Sequence, residues 1–190
     1  MNYFPIYLRM DSIKVLVVGG GNIALEKLEK IINFTSDIEV IGKEINSECE
    51  SFLQEYNLKF AKRAYKFGDI NRFDLIVVAV DDLNLQSDIF EECKKLNKLC
   101  NSVDSVDYCN FIFPAFIKEG GVTIAISTSG KSPAVAKYLK TYLKSKLPSD
   151  LASFLDYMDE LRKSLPKGVE RMKHLSDVAK KYFEKCENEK

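Results

Sequence analysis

One histidine, His174, serves the whole 190-residue sequence, and its five cysteines include no C-x-x-C pair. Those two shortages argue against a zinc site, and no metal is expected. Cys49, Cys93, Cys100, Cys109 and Cys186 are scattered and odd in number, so no disulfide framework is indicated either. Each reads as a small core or surface thiol. Charge of one sign is not in excess: 28 Lys plus Arg balance 28 Asp plus Glu, and without a basic field nucleic acid is a poor partner. No apolar run is long enough to span a bilayer. The opening "MNYFPIYLRMDSI" has no positive segment followed by a long apolar stretch, so no secretory leader is expected. A cytoplasmic location is the expectation.

What the sequence does have is alternation. "IKVLVV" (13–18) and "LIVVAV" (75–80) are continuous β-branched runs, as in strands buried on both faces of a parallel sheet. "DIEVIG", "LKFAKR" and "LCNSVD" read as further strands. Helical patterns follow the glycines at 19–21, Asn46 or Ser47 as a cap, and Asp82. Alternating strand and helix at this spacing predicts βαβ crossovers and an α/β, Rossmann-like parallel sheet domain over residues 1–109. Beyond it, Phe111–Ile117 and Val122–Ser127 flank a Glu-Gly-Gly turn, a hairpin signal. A helix then starts with Ser132 as cap and Pro133 at its first position. Residues 110–147 are thus expected to form a hairpin-plus-helix region, and 148–190 an all-helical tail.

Three consecutive glycines stand in "KVLVVGGGNIALEKLEKII" between a buried strand and a helix. The pattern G-x-G-x-x-A runs from Gly19 through Gly21 and Asn22 to Ala24, in the context that gives a dinucleotide fingerprint its meaning. Gly19 would permit the tight turn. Gly21 has no Cβ to keep a pyrophosphate off the backbone, and Ala24 would let the helix approach the strand. The free N–H groups at the start of the helix, with their partial positive charge, would then face the phosphates. The acid usual at the end of the second strand is missing. "EVIGKEI" offers Glu44 for a ribose or Lys43 for a 2′-phosphate, which leaves NAD against NADP open. Val80 and Asp81, at the end of the fourth strand, fall where the ligand crevice of such a sheet should be.

Asp104 follows the fifth predicted strand and is a candidate general base, with Asp107 competing for the role. A second polar cluster, Ser127, Thr128, Ser129, Gly130, Lys131 and Ser132, places hydroxyls and a lysine ahead of a helix, an arrangement suited to an anion. Lys118, Lys131, Lys137 and Arg9 are candidates for pairing with carboxylates.

The stretches "FPIYLRMDSIKVLVVGGGNIALEKLEKI", "VAVDD", "CNSVDSVDYCNFIFPAFI" and "GVTIAISTSGKSPAVAKYLK" occur together and in order over about residues 3–145. In this combination the chain resembles the precorrin-2 dehydrogenase family, which also forms the N-terminal module of multifunctional siroheme synthases. The resemblance implies oxidation of precorrin-2, a polycarboxylate tetrapyrrole, to sirohydrochlorin with NAD as hydride acceptor. It puts the catalytic aspartate on Asp104 rather than Asp107, and cofactor contacts on Asn22, Ile23, Lys43 and Glu44. It also implies a homodimer formed through the hairpin and its following helix. A serine phosphorylated in some relatives is replaced by Thr128, with Ser127 and Ser129 beside it. Two other functions remain in view: a dehydrogenase that also inserts ferrous iron into its product, and a non-catalytic NAD-sensing module.

Overall fold

The computed structural model describes residues 3–103 and 105–188. Asp104, singled out above, lies outside the described residues. The chain divides into two compact units, residues 3–112 and residues 113–188.

The first unit is built on strands β1 (Val15–Val18), β2 (Ile38–Gly42), β3 (Lys59–Lys62), β4 (Leu75–Val78) and β5 (Leu99–Ser102). They form one parallel sheet in the order β3-β2-β1-β4-β5. Helix α1 (Asn22–Ile31) joins β1 to β2, α2 (Ser47–Glu55) joins β2 to β3, and α3 (Leu83–Lys95) joins β4 to β5. Right-handed crossovers running outward in opposite directions from the β1/β4 pair place α1 and α2 on one face and α3 on the other. Every residue of β1 and β4 is buried, as their unbroken apolar runs require. On one face Leu16, Val18, Ile41, Ile76 and Val78 pack with Ile89 and Cys93 of α3 and with Ile70 and Phe73 of the β3–β4 connection. On α1 and α2, Ala24, Leu28, Cys49 and Leu53 are fully buried. Each fully buried Leu, Ile or Val contributes about 1.5–3 kcal/mol relative to exposure.

Of the boundaries that differ from the sequence reading, two have identifiable reasons. Strand β4 stops at Val78 rather than Val80, because the chain turns where Ala79 meets Gly19: the Ala79 N–H still bonds the Val18 carbonyl at 2.7 Å. The hairpin begins at Ala115 rather than Phe111, because residues 109–112 are tied to β5 instead. Asn110 accepts the Cys100 N–H at 2.8 Å and donates to the Lys98 carbonyl at 2.8 Å. Asn101 Nδ2 donates to the Phe111 carbonyl at 3.0 Å. A short 3-10 helix, Val106–Tyr108, precedes this docked segment.

In the second unit β6 (Ala115–Glu119) and β7 (Val122–Ile126) form an antiparallel hairpin, followed by α4 (Pro133–Lys146), α5 (Leu151–Ser164) and α6 (Val169–Asn188). Gly120 sits in the turn at φ +54°, and a Cβ there would lie 2.7 Å from Ala152 of α5, so glycine serves both the turn and the contact. Helices α5 and α6 are pinned by Phe154 stacked on Tyr182 at 3.7 Å between ring centroids, and by the Tyr182 hydroxyl donating to Asp150 at 2.7 Å.

Candidate functional site: a cleft at the carboxyl edge of the sheet

The strand order reverses direction between β1 and β4, and in open α/β sheets the crevice outside the carboxyl ends at that point is where ligands bind. A cleft of about 240 Å³ occupies this place. Its wall is made of Ile23 from the start of α1, Ala79, Val80 and Asp81 after β4, Leu83 and Gln86 of α3, and Val103 after β5. Ile23, Val80 and Asp81 were expected here from the sequence. Ala79, Leu83, Gln86 and Val103 were not.

The three glycines do different things. Gly19 has φ +123°, and a Cβ on it would stand 2.1 Å from the Ala79 carbonyl oxygen, so no other residue fits without moving β4. Gly20 is closed in by Glu44 and Ile45: a Cβ on it would lie 2.6 Å from the Glu44 carbonyl oxygen. Gly21 meets nothing within 4 Å where its Cβ would be. It is the N-cap of α1, in extended backbone geometry and with no side chain capping the helix. The first helical bond is Leu25 N–H to the Gly21 carbonyl at 3.1 Å, so the N–H groups of Asn22, Ile23 and Ala24 precede the intrahelical ladder. An open hollow over bare backbone, at the positive end of a helix dipole, suits a phosphate group. The residues present therefore fit the pyrophosphate of a dinucleotide.

Asn46, which the sequence offered only as a helix cap, braces this loop. Its N–H donates to the Gly20 carbonyl at 2.9 Å, its Nδ2 donates to Asn22 Oδ1 at 2.7 Å, and its own Oδ1 accepts the Cys49 N–H at 2.8 Å. The Gly19 N–H also bonds the Ile41 carbonyl at 2.8 Å. The end of β2 is thus locked to the glycine loop. A Cβ on Gly42 would lie 2.9 Å from the Glu44 carbonyl and 3.2 Å from the Gly20 nitrogen, so an acid at the last strand position has no room. Lys43 and Glu44 follow it as exposed residues.

Asp81 and Asp82 separate in role. Asp82 caps α3, accepting the N–H groups of Asn84 at 3.0 Å and Leu85 at 3.1 Å, which leaves Asp81 as the carboxylate on the cleft wall. Gln86 lies beneath them, 3 % exposed, with Nε2 donating to the Val80 carbonyl at 2.6 Å. Beyond β5, Cys109 holds the returning chain. Its sulfur accepts the Ser102 N–H at 3.2 Å and lies 3.1 Å from the carbonyls of Ser102 and Ser105, to which its thiol donates. Burial pushes this thiol upward from its ordinary range, which keeps it a protonated donor at neutral pH. Asp107 is an exposed residue of the 3-10 helix.

The second unit carries the other candidates except Arg9. Ser127, Thr128, Ser129 and Lys131 form one turn before α4, with Ser129 at φ 52° and Gly130 at φ 78°. The Thr128 hydroxyl is engaged with the Ser132 backbone, accepting its N–H at 3.2 Å, and Ser127 Oγ accepts the Ser129 N–H at 3.0 Å. Those two hydroxyls shape the turn, while Ser129 and Lys131 are exposed. Lys118 is exposed on β6, Lys137 on α4 and His174 on α6. Arg9 is paired with Asp11 at 2.7 Å. Among the described residues no three His, Cys, Asp or Glu side chains are grouped to hold a metal ion. No helix among them is long and apolar enough to cross a membrane.

Known proteins resemble this chain at two levels. It is 31% identical over 175 residues to a siroheme synthase of Neisseria meningitidis serogroup C (strain 053442), covering 90% of this chain and 36% of that protein. It is 29% identical over 165 residues to a siroheme synthase of Actinobacillus pleuropneumoniae serotype 3 (strain JL03), covering 87% of this chain and 34% of that protein. The chain therefore spans about a third of the length of these curated relatives. Among solved structures, "SirC, precorrin-2 dehydrogenase" superposes with a TM-score of 0.74 over 93% of this chain and 89% of that one, at 24% identity, which shows a shared fold. The family model described as "Putative NAD(P)-binding" matches residues 6–115, the segment that holds the glycine loop, the β4 edge and the cleft between them. By that match the chain belongs to this NAD(P)-binding family.

Proposed function

We propose that the protein is an NAD-dependent dehydrogenase that oxidises precorrin-2 to sirohydrochlorin, as a homodimer, in the cytoplasm. The observation that carries the substrate is the 31% identity to a siroheme synthase over 90% of this chain, with the fold of a precorrin-2 dehydrogenase in support. The cofactor reading is supported by the open hollow at Gly21 beside the cleft.

In this reading the N–H groups of Asn22 and Ile23 hold the pyrophosphate, and the bare face of Gly21 lets it approach. Glu44 and Lys43 stand at the adenosine end. Val80 and Asp81 line the path toward the other end, with Leu83 supplying an apolar wall that excludes water. When bound, NAD supplies the hydride acceptor. Removing a hydride from the tetrapyrrole also requires loss of a proton, and the Asp104 carboxylate takes it. Ser127, Thr128, Ser129, Lys131 and Lys118 are assigned to the substrate's carboxylates, the lysines by charge.

The homodimer is supported by an apolar stripe on α4. Val135, Tyr138, Leu139 and Tyr142 recur at helical spacing and are 55%, 75%, 39% and 59% exposed, although such residues normally seek cover. The hairpin and α4 are the proposed contact region.

Anaerobic incubation with precorrin-2 and NAD, followed by the absorbance of sirohydrochlorin, tests the reading, with NADP run in parallel. Turnover by the wild type is expected, and Asp104→Asn should lower kcat by about 100-fold or more. Unchanged turnover in that variant removes Asp104 from the mechanism. Dinucleotide binding with no turnover points to the sensing module.

A further inference from the structure

Among the described residues, two buried side-chain polar atoms have no hydrogen-bond partner within the protein: Gln86 Oε1 and Ser102 Oγ. Both lie at the carboxyl edge of the β4/β5 pair. Gln86 is part of the cleft wall, and Ser102 directly precedes Val103, which is another part of it. A buried acceptor without a donor is costly, so native proteins rarely keep one except where something else arrives to satisfy it. The amide of Gln86 cannot simply turn over to relieve the cost. Its Nε2 is committed to the Val80 carbonyl at 2.6 Å, and turning would set two oxygens against each other. Gln86 is part of the cleft wall, so a group seated in the cleft and packed against it is placed to bring the missing donor.

The order of the fold says which donor. The phosphate hollow is at the start of α1, and the adenosine end lies toward β2, at Lys43 and Glu44. A dinucleotide seated this way carries its other end across β1 toward β4 and β5, where Gln86 is. That end bears a primary carboxamide, whose NH₂ is a neutral hydrogen-bond donor. We propose that Gln86 Oε1 accepts a hydrogen bond from the carboxamide NH₂ of the nicotinamide, fixing the rotation of the ring in the cleft. The proposal rests on the dinucleotide reading above. It adds a residue that reads the reactive end of the cofactor, while the glycine loop reads only its phosphates.

The test is a set of calorimetric titrations of the full chain. The ligands are NAD, its thionicotinamide analogue, which keeps the amide NH₂, and 3-acetylpyridine adenine dinucleotide, which replaces it with a methyl group. Wild type should bind NAD and the thio analogue alike, and the acetylpyridine analogue roughly three- to tenfold more weakly. Gln86→Met, similar in volume but without the acceptor, should lose this preference and bind NAD and the acetylpyridine analogue equally. A merely structural role through Val80 would weaken all three ligands together and leave the preference intact, which overturns the proposal. Equal binding of all three ligands by wild type overturns it without any variant. No binding of any of them to wild type overturns the dinucleotide reading itself.

Discussion

The two units of this chain solve the same problem in opposite ways. In the sheet unit, both central strands are buried along their whole length and α1, α2 and α3 cover the two faces, so the unit closes its own core. In the hairpin–helix unit, the buried apolar residues among those described are Ile117, Ile126, Ala136 and Leu151, while Tyr138, Tyr142, Tyr157, Val169 and Met172 are at least half exposed. A unit of that size with so small a core gains most from covering its apolar surface. The sheet unit is therefore where rigid positioning of a ligand is available, and the helical unit is where the proposed association would cover apolar surface.

The contrast can be broken first at Gly19. Gly19→Ala would drive a Cβ into the Ala79 carbonyl and force an L residue to φ +123°, so it should cost about 3–5 kcal/mol in urea unfolding. A neutral substitution would mean that the loop and β4 are not packed as described. The next largest effect belongs to the other unit. Tyr138→Glu with Tyr142→Glu puts charge into the α4 stripe and should convert a dimer to a monomer in sedimentation, with dinucleotide affinity unchanged. A wild type that sediments as a monomer contradicts the homodimer.

A smaller effect sharpens the picture of the sheet unit. Asp69 accepts from both guanidinium nitrogens of Arg63 at 2.6 and 2.8 Å and from the Lys66 N–H at 2.8 Å. The Arg63 hydrogen bonds hold its carboxyl below the ordinary range against an opposing effect of burial. A group whose folded pKa is lowered stabilises above its unfolded value, about pH 4, and that stability disappears as pH falls through the folded value. Between about pH 5 and 3 wild type should therefore lose stability more steeply than Asp69→Asn. The difference should be modest, because the pair is partly exposed.

Much of this was legible in the sequence because burial leaves a periodic trace. The apolar runs announced β1 and β4, and the cap-and-proline pair Ser132–Pro133 marked the start of α4. Side chains that act by reaching another segment left no such trace. Nothing local says that Asn46 will brace the glycine loop, or that Asn101 and Asn110 will hold residues 109–112 to β5 and delay the hairpin. The missing acid at the end of β2 has a cause only the structure supplies, since Gly42 lies against the backbone of Gly20 and Glu44. Gln86 did leave a faint signal. It shares the buried stripe of α3 with Ile89 and Cys93, a polar residue at an apolar station.

The central claim is that the hollow above Gly21 receives the pyrophosphate of a dinucleotide, and titration of NAD into wild type and Gly21→Asp tests it most directly. Aspartate is a favoured helix cap with nothing to strike within the protein, so the variant's thermal midpoint should equal or exceed that of wild type. Its carboxylate would occupy the phosphate position with like charge, and NAD affinity should fall by about 100-fold or more. A stable Gly21→Asp protein that binds NAD as tightly as wild type would contradict the account.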